Sequence, residues 1–126
     1  MFRFAMLALA LIAQPALAAF TSDRIAVTTE GSGPDVVLVH GLASSARVWK
    51  GMTGRVPGYR YHLVQIAGMG AAAPGGNAQG AVVAPVADEI ARYVREEKLK
   101  TPALIGHSMG GTIGMMVAAR NPDTVG

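Results

Sequence analysis

Two apolar patterns alternate along the chain. Short continuous runs predict strands, and apolar residues three or four apart predict helices. Ile25 and Val27 alternate with polar neighbours, as in a half-exposed strand, and Glu30-Gly31-Ser32-Gly33-Pro34 is a cluster of turn residues. Val36-Val37-Leu38-Val39 is an unbroken apolar run, the pattern of a strand covered on both faces in a parallel sheet, and it ends at His40-Gly41. Leu42 to Met52 predicts a short helix, with Ser44 or Ser45 as N-cap and Val48, Trp49 and Met52 as its buried face. The next strand falls within Gly58 to Gly68, with Tyr61, Leu63 and Ile66 among its apolar positions. Met69 to Gly80 is rich in Gly, Ala and Pro and predicts a loop.

Val86, Ile90, Val94 and Leu99 form a helical stripe, with Glu96 and Glu97 on the wet side. Pro102 opens a fresh segment, and Ala103-Leu104-Ile105 predicts a short buried strand. Gly111 to Arg120 predicts a helix with Ile113, Met116 and Val117 inward, stopped by Asn121-Pro122. The order β-β-α-β-α-β-α points to an α/β domain, a mainly parallel sheet wrapped by helices.

The first stretch, "MFRFAMLALALIAQPALAAF", fits none of these elements. Arg3 is a positive start, Phe4 to Ala13 an apolar core, and Ala16-Leu17-Ala18 a small-residue cleavage site. The run is shorter than the ~20 apolar residues a membrane span needs. Residues 1–18 therefore predict a cleaved export leader and residues 19–126 a single mature domain, periplasmic or secreted, with no membrane contact once the leader is gone. The leader also inflates the 51% hydrophobic content. The formal charge of +3 is spread over scattered residues such as Arg47, Lys50, Arg60 and Arg92, with no dense basic block, which argues against nucleic-acid binding. With no cysteine, disulfides and thiolate-bound metal are excluded.

Candidate chemistry sits at the last strand-to-helix corner. Gly106-His107-Ser108-Met109-Gly110 fits G-x-S-x-G, between a predicted strand and a predicted helix. Glycines at 106 and 110 remove the collisions that such a tight turn would cause, and the turn presents the Ser108 hydroxyl outward. A serine nucleophile also needs an oxyanion hole. The backbone N–H of Met109 offers one donor. Gly41 permits a tight turn after the earlier strand, so that the N–H of Leu42 can offer the second. An N-capping serine at an ordinary turn is the alternative for Ser108.

With "VVLVHGLASSARVW" upstream and "LIGHSMGG" downstream, the chain resembles the α/β-hydrolase fold family, in its group of esterases, peptidases and C–C bond hydrolases. The resemblance implies the N-terminal part of that fold, a mainly parallel sheet with helices on both faces, incomplete at the C-terminus. It implies Ser108 as nucleophile, Leu42 and Met109 as oxyanion donors, and His40, Gly41, Gly106 and Gly110 as supports of the two loops. It implies acyl transfer to water on a small ester, amide or related carbonyl substrate, with no cofactor. A serine here disfavours the aspartate-based dehalogenase and epoxide-hydrolase mechanisms.

In the family the acid and base follow the serine, in the order Ser, Asp or Glu, His. Asp123 follows too closely and belongs with a helix-ending turn. His107 lies within the corner with its side chain turned from the serine, His40 supports the oxyanion loop, and His62 reads as structural. Asp88 and Glu89 open a helix, where acids meet its positive end. The acid and base are therefore expected beyond Gly126, in a longer hydrolase of which this chain alone is inactive. Gly68-Met69-Gly70-Ala71-Ala72-Ala73 formally fits a dinucleotide-binding fingerprint, but Pro74-Gly75-Gly76 prevents the helix that would need to open there. Where many family members carry an acidic residue and Pro-Gly, this chain has Gln65-Ile66-Ala67-Gly68. A degenerate exported hydrolase-like protein kept for binding is the alternative to an enzyme.

Overall fold

A computed structural model describes residues 19–126; the leader read from residues 1–18 lies outside the described residues. Within them the chain forms β1 Ile25–Gly31, β2 Asp35–Val39, α1 Lys50–Thr53, β3 Arg60–Ile66, α2 Val83–Glu96, β4 Ala103–Gly106 and α3 Met109–Arg120, with 3-10 turns at Ala46–Trp49 and Gly75–Asn77. The strands form one sheet in the order β1-β3-β2-β4. β1 pairs antiparallel with β3, and β2 pairs parallel with both β3 and β4. This is the α/β architecture that the alternating pattern predicts.

The two-residue period of the strands sorts their side chains onto two faces. Val37, Val39, Val64 and Ile66 meet Val86, Ile90 and Val94 of α2 and Ile113 and Val117 of α3. Val36, Leu38, Tyr61 and Leu63 point the other way, against Ala46, Trp49 and Met52. Helices thus cover both faces of the central strand β2, where Val37, Leu38 and Val39 are fully buried. Among the described residues, no helix is long and apolar enough to cross a membrane.

Three expectations need correction. The helix expected from Leu42 begins only at Ala46, as a 3-10 turn running into the four-residue α1. Ala43 has φ 54, outside helical space, so the first turn cannot form. Ser45 stands at the N-cap without a capping side-chain bond, and Val48 is 53% exposed rather than buried. Second, Ala103 and Ile105 are exposed, Ile105 by 43%, because β4 has β2 on one side and no strand on the other among the described residues. Third, Leu99 packs against the same core as Val86, Ile90 and Val94 but lies outside α2. The helix ends at Glu96, Lys98 turns left-handed at φ 54, and the Leu99 N–H bonds the Val94 carbonyl at 3.0 Å. With the Lys98 N–H on the Arg95 carbonyl at 3.1 Å, this is a Schellman ending with lysine where glycine is usual. Lys98→Gly is expected to raise stability by about 0.5–1 kcal/mol. A lower melting temperature for that variant would refute this account of the turn.

At the N-terminal ends of the strands, His62 is buried between Tyr93 and Asp35. Its Nε2 donates to Asp35 Oδ1 at 2.7 Å, and its Nδ1 shares a hydrogen bond with the Tyr93 hydroxyl at 2.7 Å. Arg60 donates to both Asp35 oxygens, and this guanidinium holds the carboxyl below its usual range. A depressed carboxyl contributes stability above its unfolded value of about 3.9, and loses it as pH falls through the folded value. Asp35→Asn is expected to cost about 1–3 kcal/mol at neutral pH, because His62 and Arg60 lose a charged acceptor. The gap from the parent should narrow in acid. Urea titrations across the pH range check this, and a constant gap down to about pH 2 would mean that the carboxylate charge is not involved.

Candidate active site

β4 delivers the chain to its sharpest corner. Ser108 has φ 55 and ψ −122, a conformation that costs a non-glycine residue about 1–3 kcal/mol. The surrounding backbone enforces it. The His107 N–H donates to the Val39 carbonyl at 3.0 Å, fastening the corner to β2, and the Gly110 and Gly111 N–H groups close the turn onto His107 and Ser108. A side chain on Gly106 would fall on the backbone of Gly110 and Gly111, and one on Gly110 on the carbonyls of Val39 and His40. These are the collisions expected from the motif. α3 begins at Met109, two residues earlier than the pattern suggests, so Ser108 stands at its N-cap position. It is not an ordinary cap. It lacks the extended backbone of one, and its side chain makes no capping bond. The residue is exposed.

The loop after β2 lies against this corner. A Cβ on Gly41 would stand 3.1 Å from Ser108 Cβ and 3.1 Å from His107 Nδ1. β2 and β4 are neighbours, but the segment after β2 covers one face of the sheet and α3 the other. The two loops meet at the carboxyl ends of the strands, the edge at which open α/β sheets usually bind ligands. Among the described residues, neither the Leu42 nor the Met109 N–H has a backbone acceptor.

His40 governs how Leu42 is presented. It is fully buried, and Ile66 donates its N–H to His40 Nε2 at 3.0 Å. The ring proton therefore sits on Nδ1, which donates to the Gly41 carbonyl at 2.8 Å. Burial holds the imidazole below its ordinary pKa, in keeping with this neutral form. A trans peptide sets N–H opposite C=O. Drawing the Gly41 carbonyl toward His40 thus turns the Leu42 N–H away from it.

The expected site residues divide cleanly. Ser108, Met109, Gly106, Gly110, Gly41, Leu42 and His40 gather at one end of β2 and β4. The remaining titratable candidates do not join them. His62 is committed to Asp35 and Tyr93, and Asp88 pairs with Arg120 at 3.1 Å. Asp123 is exposed in the turn after α3, and His107 is exposed beside Gly41. Among the described residues, no group of three or more His, Cys, Asp or Glu side chains converges as a metal site would require. Sequence reasoning missed Met69, which accepts the Ala43 N–H on its sulfur at 3.4 Å, and the ties made by Gln65. The signal for Gln65 was a polar residue between the apolar Val64 and Ile66 near the end of a mostly buried strand.

A family model for the alpha/beta hydrolase fold matches residues 34–126. The chain is 34% identical over 98 residues to the pimeloyl-[acyl-carrier protein] methyl ester esterase of Aliivibrio fischeri, covering 77% of this chain and 35% of that protein. Among solved structures, an esterase from Exiguobacterium antarcticum superposes with a TM-score of 0.68 at 32% identity, over 77% of this chain and 36% of that one. A Pseudomonas aeruginosa protein provisionally named an epoxide hydrolase gives 0.69 at 27%, over 81% and 35%. The chain spans about a third of the length of these relatives. With the family model matched over residues 34–126, this chain belongs to the α/β-hydrolase fold family.

Proposed function

We propose that the chain carries the nucleophile and the oxyanion hole of a serine esterase. One observation carries this reading: Ser108 is held at a strained, exposed corner with no capping task, against the Gly41 turn, and the N–H groups that follow Gly41 and Ser108 lack backbone acceptors among the described residues. In the proposed reaction, Ser108 Oγ attacks the carbonyl carbon of an ester. The oxygen that becomes negative is held by the N–H groups of Leu42 and Met109, at the positive end of α3. The alcohol leaves, and water then hydrolyses the acyl-serine. The proton from Ser108 needs an acceptor, and no described histidine or carboxylate bonds the hydroxyl. The base and its orienting acid come, in this reading, from outside residues 19–126. The methyl ester esterases among the relatives support an ester as substrate. The depressions lined by Glu30, Lys50 and Tyr59 and by Phe20, Tyr93 and Glu97 touch neither Ser108 nor Leu42.

A serine-reactive fluorophosphonate tests the assignment. Incubating the complete protein with it and mapping the adduct by peptide mass spectrometry should place the label on Ser108. A protein that hydrolyses esters while its label sits on another residue would overturn the reading.

A further inference from the structure

We propose that Gln65 is the positioning residue of the oxyanion loop, and that this position needs an amide rather than an acid. The inference rests on the reading of Leu42 as an oxyanion donor and extends it to what holds Leu42 in place. Gln65 is the sixth residue of β3 and reaches across the carboxyl ends of the strands. Its Oε1 accepts the Ala46 N–H at 3.0 Å, and its Nε2 donates to the carbonyls of Ile66 at 3.0 Å and Met69 at 3.1 Å. The backbone partners fix which end is which, since an N–H can only donate and a carbonyl can only accept.

These bonds bracket residues 41–46. At the start, His40 Nδ1 and the Ser44 N–H hold the Gly41 carbonyl, at 2.8 and 3.3 Å. In the middle, Ala43, next to Leu42, donates to Met69 Sδ. At the end, Ala46 donates to Gln65. Met69 is itself bonded to Gln65 through its carbonyl, so one amide bears on both the middle and the end of the loop. The loops also touch directly: a Cβ on Gly70 would stand 3.0 Å from that of Ser45. This bracing holds the loop in a non-helical path, with Ala43 at φ 54, and at its start Gly41 stands against Ser108.

A carboxylate has no proton to donate. It could keep Ala46, but it would set an oxygen against the carbonyls of Ile66 and Met69. The role is also separable from general stability. Interactions with the oxyanion strengthen in the transition state, so a displaced Leu42 should lower kcat with little change in KM.

The test uses the complete protein and a p-nitrophenyl ester, at a temperature well below the melting point of every variant. Gln65→Met, similar in size and without hydrogen bonds, is expected to lower kcat about 10–100-fold, the scale of a 1 Å misplacement, with KM within about 3-fold of the parent. Gln65→Glu should fall nearly as far. In hydrogen exchange, the Ala46 amide should lose protection in Gln65→Met and keep it in Gln65→Glu. A kcat within about 2-fold of the parent in both variants overturns the proposal. So does a melting temperature that drops while kcat holds. An active Gln65→Glu beside an impaired Gln65→Met would overturn the requirement for an amide. Ser108→Ala, assayed alongside, separates the two readings: if it retains turnover, the nucleophile assignment fails, and the exchange data alone decide whether Gln65 braces the loop.

Discussion

Ser108→Ala is expected to lower ester turnover of the complete protein by roughly four orders of magnitude or more, the scale seen when an acyl-transfer nucleophile is removed. The fold should be unaffected. The hydroxyl makes no capping bond, and the backbone bonds that shape the corner come from His107, Gly110 and Gly111. A melting curve for this variant close to the parent's is therefore part of the expectation. Ser108→Gly sharpens the argument. It too should be inactive, yet it should be more stable than the parent by about 1 kcal/mol, because glycine accepts φ 55 without strain. A gain in stability with a loss of activity is what a residue kept in a costly conformation for function would give. Turnover of Ser108→Ala within a few-fold of the parent would sink the assignment.

Gly106→Val should be as damaging to activity, for a different reason. A Cβ at this position would occupy space held by the backbone of Gly110 and Gly111 at the start of α3. Backbone cannot swing aside as a flexible side chain can. The first turn of α3 must move, and Ser108 and the Met109 N–H move with it. Even Gly106→Ala is expected to cost more than about 3 kcal/mol, with valine costing more again. Circular dichroism melts and the fluorophosphonate labelling rate together check this. The contrast with Ser108→Ala separates geometry from chemistry, since one variant loses the corner and the other only the hydroxyl. A Gly106→Val protein that melts with the parent and labels at the parental rate would show that the corner does not need this close approach.

Much of the fold and of the corner is legible in the amino-acid order. An apolar run with no polar interruption, Val36 to Val39, fits a strand covered on both faces, and it is the central strand of the sheet together with β3. G-x-S-x-G is legible because its glycines answer a local steric demand within five residues. The short helix after β2 is where the pattern misleads most. Val48, Trp49 and Met52 fit a helical stripe, but Ala43 and Ala46 are held by Met69 and Gln65, which lie 26 and 19 residues further on. Periodicity reports only neighbours three or four apart, so it does not register those ties. β4 misleads for a related reason: apolar content says that a strand can be buried, and sheet order decides whether it is.

By itself the sequence determined the class of fold, the elements that build it, the serine at the corner and the histidine and glycine that end β2. These rest on local sterics and on which faces must leave water, both written in short stretches of chain. Tertiary structure alone decided that the loop after β2 meets the loop after β4, that neutral His40 pins Gly41, and that Gln65 ties two loops with one amide. Those facts depend on strand order and on hydrogen bonds between distant residues, and only the folded chain brings such partners within reach.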